Sequence, residues 1–139
     1  MALIADAAPE GVFMAVTAKA RVLCVEDNHD ECDLVRAILD DYEVVCVASI
    51  AEARARLSRD RFALILLDEH LPDGSGLDLC KEISKMDAHS PVIIISGDDL
   101  ITCQEAIDAG AHTFLPKSKP TYVEELPQLA HQLAHSARA

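Results

Sequence analysis

The sequence predicts one doubly wound α/β domain, a parallel sheet with helices on both faces, and three observations predict it. From Arg21 onward, short apolar runs alternate with amphipathic segments five times. The runs are continuous rather than alternating apolar with polar, as expected of strands covered on both faces. They are also rich in β-branched residues, which favours strand over helix.

The five runs are Val22–Val25, Val44–Val47, Ala63–Leu67, Val92–Ile95 and Thr113–Leu115. Between them, the first helix is expected to bury Leu34, Val35, Ile38 and Leu39 on one face. The second opens at Ser49-Ile50-Ala51-Glu52, a capping-box pattern, and continues through Ala53 and Leu57. The third follows Gly76, with Leu77, Cys80 and Ile83 three residues apart, and the fourth runs from about Leu100 to Ala109 and stops at Gly110. A fifth follows Pro120, with Thr121 and Glu124 spaced for a capping box and Leu126, Leu129, Ala130 and Leu133 as its apolar stripe. Its start is open: from Tyr122, Pro127 falls in the second turn and should kink the helix, whereas Pro127 is also a suitable first helical residue. Five βα units imply right-handed crossovers.

At 139 residues the chain is long enough for one continuous core. With no Trp, two Tyr and three Phe, that core must be aliphatic. The formal charge of −12 repels phosphate backbones and anionic lipid, so neither nucleic-acid binding nor membrane association is expected. No apolar run approaches the ~20 residues of a membrane span. The five cysteines, Cys24, Cys32, Cys46, Cys80 and Cys103, include no C-x-x-C pair and fit reduced thiols in a cytoplasmic protein. Residues 1–20 are alanine-rich, without a basic start and interrupted by Asp6 and Glu10; they are expected to be a mobile leader rather than a signal peptide. His131 and His135 lie one helical turn apart without the Glu of a zinc-protease motif and read as surface residues.

In open α/β sheets ligands bind beyond the carboxyl ends of the strands. Glu26, Asp27 and Asn28 follow the first run, Asp68, Glu69 and His70 the third, Ser96-Gly97 the fourth, and Lys117 the fifth. If the first and third strands are neighbours, Glu26, Asp27 and Asp68 converge. Bare carboxylates about 5 Å apart repel by roughly 3 kcal/mol per pair at an effective dielectric near 20. A divalent cation removes that cost, and an all-oxygen site suits Mg²⁺. One such carboxylate could then attack a phosphoryl group, with the cation and Lys117 balancing charge and Ser96 offering a hydroxyl.

Across roughly Arg21 to His135 the sequence resembles the receiver domain of two-component response regulators. The resemblance is carried by Val-Leu-Cys-Val-Glu26-Asp27-Asn28, by Asp68-Glu-His-Leu-Pro72-Asp-Gly-Ser-Gly76-Leu, by Val-Ile-Ile-Ile-Ser96-Gly97, and by Gly110-Ala-His-Thr-Phe114-Leu-Pro-Lys117. It implies a flavodoxin-like sheet of order 2-1-3-4-5 within a domain spanning residues 21–137. It implies Asp68 as phosphoacceptor and metal ligand, Asp27 as direct ligand of Mg²⁺ (or Mn²⁺), Glu26 as a ligand through water, and the His70 main-chain carbonyl as a further ligand. Ser96 and Phe114 correspond to the switch hydroxyl and switch aromatic. A histidine kinase or histidine phosphotransfer protein would be the donor. The surface of the fourth helix, fifth strand and fifth helix would meet a downstream protein or a second copy. Such a domain is no enzyme beyond its own phosphorylation and dephosphorylation.

The sequence departs from the family where Ser118, rather than the usual Pro, follows Lys117. Lys117 still has the right spacing from Phe114, whereas Lys119 would put Pro116 in the aromatic position. Three other readings compete. A pseudo-receiver would keep the fold as an interaction module without phosphorylation. A haloacid-dehalogenase-type phosphatase would want a second Asp where His70 stands, and a flavin carrier would want a phosphate loop where Glu26 and Asp27 stand.

Overall fold

The computed structural model describes residues 19–86, 90–97 and 103–136. Its elements follow one another as β1 (Arg21–Val25), α1 (His29–Ile38), β2 (Glu43–Val47), α2 (Ile50–Leu57), β3 (Leu64–Asp68), a small hairpin of β4 (His70–Leu71) and β5 (Gly74–Ser75), α3 (Gly76–Ser84), β6 (Val92–Ser96), α4 (Cys103–Asp108), β7 (Thr113–Pro116) and α5 (Tyr122–Ser136). The five main strands are parallel and ordered β2-β1-β3-β6-β7. Setting the hairpin aside, this is the expected 2-1-3-4-5.

Alternate residues of each strand face opposite layers, so both faces of the sheet are buried. Leu23, Val25, Ile65, Leu67, Val92 and Ile94 face α2, α3 and α4 through Ala53, Leu79, Ile83 and Ala106. Val22, Cys24, Leu64, Leu66, Ile93 and Leu115 face α1 and α5 through Val35, Leu39, Leu126 and Ala130. The continuous apolar runs are explained by this two-sided burial.

Several local expectations are corrected. Val35 and Leu39 are buried as expected, but Leu34 is 38% exposed and Cys32 is buried in its place. In α3 Leu79 is buried with Cys80 and Ile83, whereas Leu77 is only partly covered. Helix α5 starts at Tyr122 and continues through Pro127. Pro127 forgoes the bond to the Val123 carbonyl, on the side where Val123 is exposed and solvent can replace it. The Thr121–Glu124 capping box does not form: the Thr121 hydroxyl donates to Glu125, which also holds Lys119 at 3.0 Å. The beginning of the fourth helix at Leu100, and nearly all of the leader, lie outside the described residues. Helix α4 ends at Asp108, and Gly110 takes the expected place just past its end, where a φ of +104° suits glycine and the Ala111 amide donates to the Ala106 carbonyl at 3.0 Å.

The hairpin ties the segment after β3 to α2. Asp73, in its turn, accepts the Ile50 and Ala51 amides at 2.8 and 3.0 Å, while Ser49 accepts the Glu52 amide at 3.1 Å. These amides would otherwise be unpaired at the helix N-terminus. They also hold the Asp73 carboxyl below its ordinary pKa. Asp73→Ala is therefore expected to lower the thermal midpoint and to speed amide exchange at Ile50 and Ala51, read by hydrogen–deuterium exchange. Unchanged exchange at both would show that Asp73 is not the cap.

Candidate functional site

The carboxyl ends of β1, β3, β6 and β7 bring the strand-end polar residues to one edge of the sheet. Register pairs Val25 with Leu67 and Asp68 with Ile95, so Glu26 and Asp68 emerge side by side. The Glu26 amide donates to the Val47 carbonyl at 2.9 Å, which fixes the start of the β1–α1 loop. Oxygens of Glu26, Asp27 and Asp68 lie within 4.8 Å of one another. Glu26 is 6% exposed, Asp27 is exposed, and the Asp68 side chain is 11% exposed.

Lys117, just beyond β7, crosses the ends of the intervening strands to reach this group. Its Nζ donates to Glu26 Oε1 at 2.7 Å and stands 3.4 Å from Asp68 Oδ1. The backbone helps to aim it, since the Lys117 amide donates to the Ser96 carbonyl at 2.9 Å. Lys119 is engaged with Glu125 instead, so the two nearby lysines have separate partners. Ser118 causes no break in this arrangement: the described residues contain no cis peptide bond.

Three carboxylates against one ammonium leave two negative charges uncompensated. Burial pushes the Asp68 carboxyl up to about 6, with the charges of Glu26 and Asp27 adding to it and Lys117 opposing it. Burial pulls the Lys117 pKa down, but the bond to Glu26 and the charges of Asp68 and Glu26 outweigh it, and the net shift is upward. A close, all-oxygen, electron-rich donor set with two unbalanced charges fits a hard dication such as Mg²⁺.

The other sequence-derived candidates lie on neighbouring elements. Ser96 ends β6 and is 1% exposed. Phe114, on β7, is partly buried against the α2–α3–α4 layer. His70 is exposed, in β4 two residues past Asp68.

Two features escaped the sequence. Glu69, 7% exposed, accepts the Ser75 hydroxyl at 2.9 Å and the Leu77 amide at 3.0 Å, and its carbonyl accepts the Gly76 amide at 2.8 Å. It clamps the segment after Asp68 onto the N-terminus of α3, where a carboxylate is favoured. The second feature is the convergence of Cys24, Cys32 and Cys46, whose sulfurs lie within 4.8 Å of one another. Hydrogen bonding from the Cys24 thiol draws the Cys46 thiol down to about 6; burial opposes this, and Cys32 and Arg36 assist it. Adjacent strands supply Cys24 and Cys46, and no spacing motif signals such a meeting.

The response regulator receiver domain family model matches residues 22–130. The response regulator protein PilR of Pseudomonas aeruginosa is 36% identical over 102 residues, covering 71% of this chain and 23% of PilR. The transcriptional regulatory protein DpiA of Escherichia coli K12 is 32% identical over 120 residues, covering 81% of this chain and 51% of DpiA. The chain thus spans from about a quarter to about a half of the length of these relatives. Among solved structures, the signal receiver domain of a protein described as a LuxO repressor from Vibrio parahaemolyticus superposes with a TM-score of 0.77 at 28% identity. That match covers 86% of this chain and 93% of the other. With the flavodoxin-like sheet and the acidic edge already described, these matches establish that the chain belongs to the receiver domain family of two-component response regulators.

Proposed function

We propose that this receiver domain is a phosphorylation switch whose acceptor is Asp68. The observation that carries this reading is a nearly buried carboxylate, raised in pKa, whose Oδ1 lies 3.4 Å from the Lys117 ammonium. The donor is a phosphohistidine on a histidine kinase or a histidine phosphotransfer protein in the cytoplasm. An Asp68 oxygen forms the new P–O bond as the P–N bond to imidazole breaks, and the departing imidazole takes up a proton.

Bound Mg²⁺ (or Mn²⁺) would neutralise charge between the carboxylates and the incoming phosphoryl oxygens. Asp27, Asp68 and the His70 main-chain carbonyl would hold it, and Glu26 through water. Lys117 exchanges part of its attraction to Glu26 for the phosphoryl group, and the Ser96 hydroxyl donates to a phosphoryl oxygen. The acyl phosphate carries about two negative charges at pH 7 where the ionised carboxylate carried one, and it brings three further acceptor oxygens. Drawing Ser96 and Lys117 inward relieves that charge and frees space into which Phe114 turns, which biases the surface of α4, β7 and α5. Ile107 on α4 and Val123 on α5 are large apolar side chains, 47% and 51% exposed, suited to a protein partner or a second copy.

Intact-mass analysis after incubation with Mg²⁺ and acetyl phosphate tests this. A single phosphoryl adduct is expected, dependent on the cation and absent in Asp68→Asn. Beryllofluoride, which mimics the acyl phosphate, is expected to shift the spectrum of Phe114. Absence of both the adduct and the shift would overturn the reading and favour a pseudo-receiver that acts only as an interaction module.

A further inference from the structure

A second donor set lies beneath α1, in the layer between the sheet and α1 and α5. Cys24 on β1 and Cys46 on β2 are register partners, and Cys32 descends on them from the first turn of α1. All three are free thiols; Cys24 and Cys32 are 3% and 5% exposed, and Cys46 is half-buried. Free Cys often serves as a small apolar side chain in a core. Here three contributed by three different elements point their sulfurs at one spot, and Val35, Leu39 and Leu66 supply the apolar wall of the same layer.

We propose that Cys24, Cys32 and Cys46 form a three-thiolate binding site for a thiophilic d¹⁰ cation, Cu⁺ or Zn²⁺, distinct from the carboxylate site. Metal–sulfur bonds of about 2.3 Å place sulfurs about 3.8–4.0 Å apart in tetrahedral or trigonal geometry. The observed sulfurs, all within 4.8 Å, reach that spacing by side-chain rotation of less than about 1 Å each. The donor set is entirely sulfur, so it selects soft ions and rejects Mg²⁺, whereas the carboxylate site does the reverse.

Entry is available because β2 is an edge strand of the sheet, and Cys46, the least buried of the three, sits on it. Each thiol that ligates loses its proton to solvent, and the sulfur–metal bond replaces the S–H bond. Cys32 now donates to the Glu26 carbonyl at 3.5 Å, and it gives up that bond on ligation. The two sites are therefore neighbours through Glu26, whose carboxylate belongs to one and whose carbonyl faces Cys32 of the other.

The test uses the full chain, reduced, stripped of metal and handled without oxygen. Cu⁺ is titrated in competition with bicinchoninate, and Co²⁺ is titrated as a spectroscopic probe of the Zn²⁺ arm. One equivalent of competition-resistant Cu⁺, or a thiolate-to-cobalt charge-transfer band that Zn²⁺ abolishes, is expected, and which of them occurs identifies the ion. Cys46→Ala and Cys32→Ala should each lower affinity at least about 100-fold, more than loss of a merely supporting hydrogen bond costs. Cys103→Ala and Asp68→Asn should leave it unchanged, the latter separating this site from the phosphorylation reading. A protection assay covers any variant that fails to fold: in the wild type, bound metal should block alkylation of Cys46. Copper surrendered to the competitor together with a cobalt spectrum lacking the thiolate band would overturn the proposal, as would affinity that survives loss of Cys46.

Discussion

Asp68→Asn is expected to make the metal-free domain more stable at pH 7.5, by as much as about 3 kcal/mol, although it removes the proposed acceptor. Burial raises the Asp68 pKa to about 6 from 3.8. The folded state therefore binds the proton more tightly than the unfolded chain does. The cost of the charge is absent below about pH 3.8, grows as pH rises, and is complete above about pH 6. A pKa difference of that size corresponds to about 3 kcal/mol, and the side chain is 11% exposed, so solvent screens little of it. Urea unfolding of both proteins in EDTA at pH 4 and pH 7.5 provides the measurement: the difference should be small at the lower pH and large at the higher. Mg²⁺ should narrow it by stabilising the wild type more than the variant. A variant less stable than wild type at pH 7.5 would mean that attraction to Lys117 outweighs burial at Asp68.

Gly76→Ala is expected to destabilise the fold by about 3 kcal/mol, the upper end of the usual cost of overpacking, and to reduce phosphorylation of the molecules that remain folded. A Cβ at this position would lie 2.2 Å from the Asp68 carbonyl oxygen, 3.0 Å from its carbon and 3.1 Å from Glu69 Cα. All three are backbone atoms, so no side chain can rotate away. Relief requires α3 to retreat or the Asp68 backbone to shift, and either disturbs the Glu69 clamp on the Leu77 amide. Gly97→Ala is the matched control: a Cβ there meets nothing within 4 Å, and its effect on stability should stay within about 0.5 kcal/mol. Equal urea midpoints for the two variants would refute the steric account.

Two-sided burial made the sheet legible, because a strand covered on both faces is written as an unbroken apolar run. The strand starting at Val22 in the sequence reading begins at Arg21 in the structure, and the one starting at Ala63 begins at Leu64. The hairpin was not legible, since strands of two residues carry no periodicity. Leu34 misled because a helical stripe drawn from apolar residues alone overlooks Cys32, which α1 buries. Thr121 paired one residue beyond the expected Glu124, a choice made by local geometry at the start of α5. The carboxylates and Lys117 could be proposed from strand ends, whereas the meeting of Cys24 with Cys46 depends on the β1–β2 register, which apolar runs leave open.

The 91-residue separation between Glu26 and Lys117 has a consequence for assembly. Contacts this distant in sequence carry a large loop-closure cost, which the intervening βα units help to offset. When β1 and β3 have paired, the acidic pocket exists, but its lysine arrives only when β7 docks at the far edge of the sheet. Until then the chain holds mutually repelling carboxylates without the Lys117 ammonium. The proposed phosphorylation site is therefore complete only once the last βα unit has docked.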